Sequence, residues 1–416
     1  MEEIEDIIRK AKWCLNCKTK PCSKQGCPMQ TNIPEFIEEI KNNNIEKAYD
    51  ILHGNNIFSH ICSIVCPQEE QCEGSCIRAV KQTATNIGKL EKFVNEWAIK
   101  NSYNGKLELK DKNGKKIAII GSGPAGLECA LELIKEGFEV TIFEKDKIPG
   151  GILIYGIPDF RLDKKIVNKI IDNLKQSGVK FETEKELGKD IHIKDLKEKY
   201  DAVFVGIGAT VSTTYKLSEK DNKNVFKSDD FLKEYNEGRK IENLGTAIVI
   251  GGGNVAMDSA RAAIRMGAEK VKILYRRDRK HMPAREIELE EAIEDGVEFK
   301  ELTRVISLNT ENDKMVSVNC IGTEIIDGKA VDVDGKEFKE EANSVIFAIG
   351  LKPNKDIIAL EGIELDDWNY IKIDEDGKTN LENVYAGGDC TESKSTVCRA
   401  LAAGKKAALG IIKNIM

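Results

Sequence analysis

The sequence has 416 residues, of which 63 are basic and 70 acidic, and its formal net charge is −7 at pH 7. At about 100–200 residues per domain, this length predicts two to four domains. The negative charge disfavours nucleic acid and anionic membranes as partners. No uncharged apolar run approaches the ~20 residues of a membrane-spanning helix. The acidic start, Met-Glu-Glu-Ile-Glu-Asp, lacks the basic residues of a targeting peptide, so we expect a cytoplasmic protein.

The cysteines are unevenly distributed along the chain. Eight of the 12 lie between Cys14 and Cys76. In a chain without an export signal, such crowding favours metal binding over disulfides. With only 4 His in the sequence, a mechanism based on a histidine base or a His-rich metal site is disfavoured.

Residues 1–100 show no alternating strand pattern. They contain Cys-rich loops joined by helical patterns over Ile33–Ala48 and Ile87–Ile99. Residues 101–114 are polar and contain two Gly, which is typical of a linker. We therefore predict a helical metal-binding domain before the rest of the chain.

A nucleotide-binding motif follows the linker. The run Ile117–Ile120 predicts a strand that leads into Gly121-Ser-Gly123-Pro124-Ala125-Gly126. A helix pattern covers Leu127–Glu136, and the next strand, Glu139–Phe143, ends at Glu144. This is the order of a βαβ dinucleotide-binding unit, in which the glycines make the tight turn, admit the pyrophosphate and let helix and strand pack closely.

The same unit recurs later in the chain. The strand Ala247–Ile250 leads into Gly251-Gly-Gly253-Asn254-Val255-Ala256, a helix to Met266 and a strand over Val271–Tyr275. Each copy follows a strand and precedes a helix, which favours a nucleotide site over an ordinary glycine-rich turn. Two copies predict two nucleotide-bearing ligands and an α/β fold with two Rossmann-like domains.

The residue after the second strand distinguishes the two units. Glu144 suits the ribose hydroxyls of an unphosphorylated adenosine, as in FAD or NAD. The equivalent place in the second unit holds Arg276-Arg277, whose guanidinium groups suit the 2′-phosphate of NADPH. A solvated surface is the other interpretation of this basic run.

Two further strands precede the C-terminal helix. One covers Ser344–Ile349 and ends at Gly350, and the other, Val384–Ala386, ends at Gly387-Gly388-Asp389. A helix pattern over Thr396–Leu409 follows. The Gly-Gly-Asp motif suits the ribityl or phosphate region of a flavin, although Asp389 alone also suits the cap of a turn.

The cysteine spacing is typical of iron–sulfur proteins. It runs Cys14-x2-Cys17-x4-Cys22-x4-Cys27-Pro, then Cys62-x3-Cys66-Pro-x4-Cys72-x3-Cys76. Ligation by thiolates alone favours iron–sulfur clusters over zinc, with zinc ribbons as the alternative. Two cubane clusters need eight ligands, and eight Cys are present. Glu91, however, lies in the apolar stripe of a helix, and a carboxylate that faces a core must be paired, protonated or coordinating.

These motifs together resemble the NADPH-dependent glutamate synthase small-subunit family. The resemblance rests on the two glycine-rich loops, on Gly150-Gly151 with Gly156-Ile-Pro-Asp-Phe-Arg161-Leu, on Asp258, on Tyr275-Arg-Arg with Met282-Pro-Ala, and on Tyr385-Ala-Gly-Gly-Asp. That family is similar to the N-terminal half of dihydropyrimidine dehydrogenase. It is also similar to the large subunit of the electron-bifurcating NADH-dependent ferredoxin:NADP oxidoreductase. The Gly-Ile-Pro-x-Phe-Arg-Leu motif of this chain is most similar to that subunit.

The resemblance implies a cofactor for each motif. FAD is expected at Gly121, Gly123, Pro124, Ala125, Gly126, Glu144, Gly151, Arg161, Gly350, Gly388, Asp389, Thr396 and Val397. NADP(H) is expected at Gly251, Gly253, Asn254, Val255, Ala256, Arg276 and Arg277. Arg161 equally suits a salt-bridged residue at a helix start. The domain boundaries implied are 1–110 for a helical domain with two [4Fe–4S] clusters, 111–242 and 344–416 for the FAD domain, and 243–343 for the NAD(P)H domain.

The resemblance also implies two ligand sets. One cluster is assigned to Cys14, Cys17, Cys22 and Cys76, and the other to Cys27, Cys66, Cys72 and Glu91. Cys62 matches a family cysteine that is not a ligand, and we favour Glu91 over Cys62.

The implied activity is electron transfer from NADPH through FAD and the clusters to a protein partner. Hydride transfer needs no strong general base, so we name no catalytic acid or base. The partner is expected to be a glutamate synthase large subunit or, in the bifurcating alternative, a flavoprotein subunit with ferredoxin. A flavin disulfide reductase is disfavoured because seven residues separate Cys390 from Cys398 and no C-x-x-C motif occurs after residue 17.

Overall fold

The computed structural model describes residues 2–105, 107–212, 224–311, 314–393 and 396–416. Position 106 of the predicted linker lies outside these ranges. The chain forms two compact units. The first unit contains Met1–Leu153, Phe160–Ala209 and Pro353–Met416, and the second contains Ile154–Asp159 and Thr210–Lys352. None of the described helices is both long enough and apolar enough to cross a membrane.

The N-terminal part of the first unit is helical. Its helices are α1 (Glu2–Ala11), α2 (Ile33–Lys41), α3 (Ile45–Asn55), α4 (Ser59–Val65) and α5 (Ile87–Lys100). A π-helical turn covers Cys22–Gly26 and a 3-10 turn covers Ile77–Val80. The single helical pattern expected over Ile33–Ala48 is two helices, because the chain turns at Asn43 with a φ of 58°.

A parallel sheet follows in the first unit. Its early elements are β1 (Lys116–Ile120), α6 (Pro124–Lys135), β2 (Glu139–Glu144), α7 (Ile152–Tyr155), α8 (Lys164–Gln176), β3 (Lys180–Thr183), α9 (Ile193–Lys197) and β4 (Ala202–Val205). Strand β4 pairs with β1 on one side, and the strand on its other side comes from the C-terminal part of the chain. The predicted strands and helix around the first glycine-rich loop are confirmed within one to three residues at each end.

The second unit contains another parallel sheet with an antiparallel insertion. Its elements are β5 (Val211–Ser212), β6 (Val225–Lys227), α10 (Ser228–Asn236), β7 (Thr246–Ile250), α11 (Asn254–Arg265), β8 (Lys270–Leu274), α12 (Glu286–Glu294), β9 (Glu298–Lys300), β10 (Thr303–Glu311), β11 (Lys314–Ile326), β12 (Lys329–Glu341), β13 (Ser344–Phe347) and β14 (Leu351–Lys352). The five-stranded order is β6-β13-β7-β8-β9, and β10, β11 and β12 form a three-stranded sheet.

The chain then returns to the first unit with α13 (Lys355–Leu360), β15 (Val384–Ala386) and α14 (Val397–Ile415). The first sheet has the order β15-β4-β1-β2-β3, with every pair parallel. In both sheets the central strand, β1 or β7, leads into a glycine-rich loop, and the strand order reverses beside it. Ligands of open α/β sheets bind at this kind of position.

The structure moves two predicted domain boundaries. Strand β13 pairs with β7, with Ser344 opposite Ala247, so it belongs to the second sheet and not to the returning FAD segment expected from 344. Strand β6 pairs with β13, so residues 224–242 also belong to the second unit. With only three residues, β6 is too short to give a recognisable alternation in the sequence. Helix α14 also extends to Ile415, beyond the expected end at Leu409.

Candidate functional site

The first glycine-rich loop joins β1 to α6 and has open space beside its second glycine. Gly121 has a φ of +98°, and a Cβ there would come within 2.4 Å of the Gly206 carbonyl oxygen. A Cβ on Gly126 would come within 1.9 Å of the Gly121 carbonyl oxygen, whereas one on Gly123 would meet no atom within 4 Å. Pro124 and Ala125 begin α6, whose N-terminal end borders this space. The loop therefore fits a pyrophosphate group.

Glu144 ends β2 and is 4% exposed. Its carboxylate accepts hydrogen bonds from the backbone N–H groups of Ser122 and Asp146, each over 2.9 Å, and from the Ser122 hydroxyl. Ser122 Oγ in turn accepts a hydrogen bond from the Gly150 N–H over 2.8 Å. Glu144 therefore fixes the first loop against the Gly150 segment, and its contact with a ribose stays a prediction.

The Gly150 segment lies directly against the first loop. Gly151 has a φ of +52°, and a Cβ there would come within 2.9 Å of the Gly123 Cα atom. Arg161 is half-buried and precedes the N-cap of α8, Asp163, which accepts a hydrogen bond from the Lys165 N–H. Since Asp163 caps the helix, Arg161 is not the residue that starts it.

The C-terminal return packs against the first glycine-rich loop, where FAD is expected. Gly388 has a φ of +84°, and a Cβ there would lie 2.9 Å from the Ala125 Cβ. A Cβ on Gly404 of α14 would lie 2.1 Å from the Ala125 carbonyl oxygen, so α14 packs closely against α6. Thr396 is the N-cap of α14, Val397 is its first residue, and Asp389 is half-buried after β15. Gly350, expected with this group, lies instead in the second unit after β13.

The second glycine-rich loop repeats the geometry of the first. Gly251 has a φ of +151°, and a Cβ there would come within 2.2 Å of the Ala348 carbonyl oxygen. The same Cβ would lie 3.3 Å from the Ala256 Cβ, so Gly251 has no room for a side chain. A Cβ on Gly253 would meet only Pro283, at 3.9 Å. This loop therefore also fits a pyrophosphate.

Helix α11 begins at this loop. Its first residue, Asn254, accepts a hydrogen bond at Oδ1 from the Arg285 N–H over 3.1 Å, and Val255 is half-buried beside it. The segment containing Arg285 is thereby held over the second loop.

The two arginines after β8, Arg276 and Arg277, differ in whether their side chains have hydrogen-bond partners. Arg277 Nε donates a 3.0 Å hydrogen bond to the Tyr275 hydroxyl, and its guanidinium lies 5.8 Å from the centre of that ring. Arg276 is exposed, and among the described residues its guanidinium has no hydrogen-bond or ion-pair partner. Arg279, further on, is ion-paired with Glu286. Arg276 is thus the guanidinium available to a phosphate.

The first cysteine site (Cys14, Cys17, Cys22 and Cys76) lines one cavity. All four thiols border it together with an apolar wall that includes Ile33, Ile37 and Ile87. Burial raises the pKa of Cys14 and raises that of Cys22 to about 11. Neutral thiols in an apolar cavity suit a bound cation, whose charge favours the thiolate form. The four residues therefore fit an iron–sulfur cluster as a set.

The second cysteine site (Cys27, Cys66, Cys72 and Glu91) lies deeper. A Cβ on Gly26 would come within 2.5 Å of the Gln71 carbonyl oxygen, so the Cys27 loop packs directly on the backbone before Cys72. Burial raises the pKa of Cys72, and the neighbouring Glu91 and Cys27 raise it further. These contacts place three of the four predicted ligands together.

Glu91 is 8% exposed on α5. Burial raises its pKa well above the usual range, and the neighbouring Cys27 and Cys398 raise it further. Within the described part of the chain, no hydrogen bond or ion pair reaches its carboxylate. A buried carboxylate beside thiols and without a partner fits a role as a cluster ligand.

Sequence reasoning missed Cys398 at this site. The Sγ atoms of Cys62, Cys66 and Cys398 all lie within 4.8 Å of one another, and all three residues are buried. Cys62 Sγ also accepts a 3.5 Å hydrogen bond from Asn56 Nδ2. Cys398 follows Cys66 by more than three hundred positions, so no spacing rule connects the two. Cys390, by contrast, hydrogen-bonds to backbone carbonyl groups, and no described contact pairs it with Cys398.

Comparisons with known proteins identify two families along the chain. Residues 115–407 match the pyridine nucleotide-disulphide oxidoreductase family, and residues 2–103 match the family of dihydropyrimidine dehydrogenase domain II with its 4Fe–4S cluster. The chain is 34% identical to the putative oxidoreductase AegA of Escherichia coli, over 97% of this chain and 65% of that protein. It is 32% identical to the glutamate synthase [NADPH] small chain of Escherichia coli, over 96% of this chain and 89% of that protein.

Two further proteins are similar to the chain, one in sequence and one in fold. The chain is 33% identical to the glutamate synthase [NADPH] small chain of Azospirillum brasilense, over 98% of this chain and 89% of that protein. The structure of Mycobacterium tuberculosis FprA in complex with NADPH superposes with a TM-score of 0.61, over 72% of this chain and 84% of that chain at 21% identity. That likeness supports the fold.

Proposed function

Because the chain belongs to the family of NADPH-dependent glutamate synthase small chains, we propose that it passes electrons from NADPH through FAD to two [4Fe–4S] clusters and on to a partner subunit. The family accounts for an oxidoreductase with NADPH, FAD and iron–sulfur centres. The count of two clusters, the residues that hold each cofactor and the identity of the partner are the finer parts of the proposal.

One observation carries the proposal: within the first unit, helix α14 packs against both the first glycine-rich loop and the cysteine-bearing segment. Its Gly404 lies against Ala125 at the first glycine-rich loop. Its Cys398 lies within 4.8 Å of Cys66. An electron that leaves the flavin site therefore has a packed protein path to the cysteines, as an electron-transfer role requires.

The residues of the chain hold and orient the cofactors. When bound, FAD accepts a hydride from NADPH and the clusters carry single electrons, which is the chemistry of the cofactors. Around them, Gly123 and the N-terminal end of α6 bind the flavin pyrophosphate, and Asp389 borders the same site. Gly253 and Arg276 bind the pyrophosphate and the 2′-phosphate of NADPH.

The electron exit is proposed at the first cysteine site, because the surface around it is apolar and basic. The side chains of Trp13, Leu15, Ile77 and Val80 are exposed on the loops that carry Cys14, Cys17 and Cys76. The same loops, 12–24 and 77–82, carry Lys12, Lys18, Lys20, Lys24, Arg78 and Lys81 and no acidic residue, although Lys20 is ion-paired with Glu35 of the adjacent helix α2. In a chain of net charge −7, this surface suits a partner with an acidic face.

A cofactor analysis tests the proposal directly. The purified chain is expected to contain about one FAD and about eight iron atoms, and to reduce an artificial dye with NADPH much faster than with NADH. EPR of the reduced protein is expected to show two cluster signals. A chain that binds FAD but only four iron atoms would contradict the count of two clusters, and absence of NADPH:dye activity would contradict the electron path.

Copurification from the native source tests the partner. Recovery of a glutamate synthase large subunit supports the proposed assembly. Recovery of a flavoprotein linked to ferredoxin supports the bifurcating alternative. A matched bait in which Lys18, Lys24 and Lys81 are changed to Glu is the control, because a partner that docks on the basic surface is lost from that bait.

A further inference from the structure

Two residues beside the first cysteine site, Trp13 and Arg78, carry an inference that rests on the proposed function. Trp13 directly precedes Cys14, and Arg78 follows Cys76 by two positions. Trp13 is 39% exposed and Arg78 is half-buried. The four thiols of the site come from segments that are distant in the chain, so other contacts must hold the segments together. Neither the cysteine spacing nor the family resemblance assigns Trp13 or Arg78 a role.

Three contacts of this pair join the two segments. The Trp13 Nε1–H donates a 2.9 Å hydrogen bond to the Thr83 carbonyl oxygen. The Arg78 Nε–H donates a 2.7 Å hydrogen bond to the Trp13 carbonyl oxygen. The Arg78 guanidinium also lies 3.9 Å from the centre of the Trp13 ring, within the ~6 Å range of a cation–π interaction. The residue before Cys14 is thereby attached to the segment after Cys76.

Further contacts fix the segment that carries Arg78. Its Nη1 donates a 2.7 Å hydrogen bond to the side-chain oxygen of Gln82. Thr85 is 2% exposed, and its Oγ1 lies 3.7 Å from Cys76 Sγ. The segment that accepts the Trp13 hydrogen bond therefore returns to the thiol at its start. The orientation of the guanidinium is set by the Trp13 ring, the Trp13 carbonyl group and the Gln82 amide.

Arg78 also lies at the wall of the first cysteine site. Its side chain, with those of Leu15 and Ile77, lines the same cavity as the four thiols. Its described acceptors are a carbonyl and an amide oxygen, and no carboxylate among the described residues is ion-paired with it. The positive charge is therefore not neutralised. Such a charge favours the reduced form of a cluster, because that form carries one more negative charge.

We propose that Trp13 and Arg78 are positioning residues of the first cluster. Their contacts hold the two ligand-bearing segments together and so slow the loss of iron. The fixed charge of Arg78 raises the reduction potential of this cluster. Since electrons move towards the centre of higher potential, the charge favours transfer to the proposed exit.

The test on the holoenzyme combines a redox titration of the EPR signals with the rate at which a chelator removes iron. Arg78→Gln removes the charge, so one cluster is expected to titrate at a more negative potential while the other is unchanged. Because this variant also loses the cation–π contact and a hydrogen bond, about half of the iron should leave roughly tenfold faster, which corresponds to about 1.4 kcal/mol. Arg78→Lys keeps the charge and is expected to restore the potential but only part of the iron retention.

Trp13→Phe separates the two effects. It keeps an aromatic ring and the carbonyl group that accepts from Arg78, but it loses the donor to Thr83. The potentials are therefore expected to stay unchanged, and half of the iron should again leave faster. Arg9→Gln is the matched control, because Arg9 is an exposed arginine of the same helical part of the chain that is ion-paired with Asp6 on its own helix. Both measurements on this variant should equal those of the unaltered chain.

Unchanged potentials or unchanged iron release in Arg78→Gln overturn the inference. Equal shifts of both clusters also overturn it, since the pair is then a general structural contact. Because both side chains reach the surface, the variants are expected to fold, and their thermal midpoints check this. A wild-type chain without two clusters refutes the proposed function instead.

Discussion

Gln71 Nε2 donates a 3.3 Å hydrogen bond to Thr396 Oγ1, which joins the residue before Cys72 to the N-cap of α14. The same hydroxyl accepts a 3.3 Å hydrogen bond from the Arg399 N–H at the first turn of the helix. One side chain therefore both caps α14 and fastens it to the cysteine-bearing segment. The start of α14 is therefore held against the segment that carries the second cysteine site.

Thr396→Val removes both hydrogen bonds with little change in volume. Loss of an N-cap costs about 1 kcal/mol of stability, and the Gln71 amide loses its acceptor as well. We expect a lower thermal midpoint and a faster release of FAD, and the release is measured by the increase in flavin fluorescence. Thr396→Ser keeps the hydroxyl and is the control, so equal midpoints for the valine and serine variants would contradict this role.

The second glycine of each loop offers a sharper test of the two nucleotide sites. Because a Cβ on Gly123 meets no protein atom within 4 Å, Gly123→Ala should cost less than about 1 kcal/mol of stability. The added methyl group enters the space proposed for the flavin pyrophosphate, so FAD is expected to be lost. Gly253→Ala should instead weaken NADPH binding and leave the FAD content unchanged.

Gly126→Ala is the contrasting variant. Its Cβ would lie 1.9 Å from the Gly121 carbonyl oxygen, so the loop itself must shift, at a cost of roughly 1–3 kcal/mol or more. FAD content and thermal midpoint measured on the three variants separate ligand exclusion from damage to the fold. Retention of FAD by Gly123→Ala would show that the pyrophosphate does not lie beside this residue.

Arg276 is expected to determine the preference for NADPH over NADH. Its guanidinium has no partner among the described residues, and a charge-assisted hydrogen bond to phosphate contributes roughly 1.5–3 kcal/mol, or about 10- to 150-fold in affinity. Arg276→Ala should raise KM for NADPH by that factor and leave KM for NADH unchanged. Arg277→Ala should have a smaller effect, because Arg277 already donates to the Tyr275 hydroxyl. Equal effects of the two variants would contradict the assignment.

The eighth cluster ligand can be identified by a pair of variants. Glu91→Ala is expected to abolish one EPR signal and lower the iron content from about eight to about four atoms per chain, because the second cluster loses a ligand. Cys62→Ser should leave both signals, since Cys62 Sγ is occupied by the Asn56 amide. Glu91→Gln, which keeps an oxygen ligand, should retain both clusters. Loss of a cluster in Cys62→Ser but not in Glu91→Ala would reverse the choice of ligand.

The sequence predicted those parts of the site that are encoded over short stretches. The glycine-rich loops, Glu144 and the crowded cysteines each lie within one strand, turn or helix, so local patterns identify them. Cys398 could not be found in this way, because only the packing of α14 brings it to Cys66. The three-residue strand β6 was not predicted for a related reason, since its place in the second sheet depends on its pairing with β13.

The burial of Glu128 is expected to make the stability of the folded chain depend on pH. It is fully buried in α6, and neither carboxylate oxygen has a hydrogen-bond partner among the described residues. Burial raises its pKa from 4.5 to about 8; Glu132 on the same helix raises it further, while Lys135 and Lys405 act in the opposite direction. Between these two pH values the folded chain keeps a proton that the unfolded chain has lost. Stability therefore falls as the pH rises from about 4.5 to about 8, by up to about 1.4 kcal/mol per pH unit, and the loss levels off above that range.

Glu128→Gln removes this titration while it keeps the size of the side chain. The variant should match the unaltered chain near pH 4.5 and exceed its thermal midpoint by an amount that grows towards pH 8. Glu132→Gln is the control, because Glu132 is ion-paired with Lys135 and Lys405 and its loss should give no such gain. Thermal midpoints of the holoenzyme at pH 5, 6.5 and 8 measure the effect. A difference between Glu128→Gln and the unaltered chain that does not change with pH would mean that Glu128 holds no proton across this range.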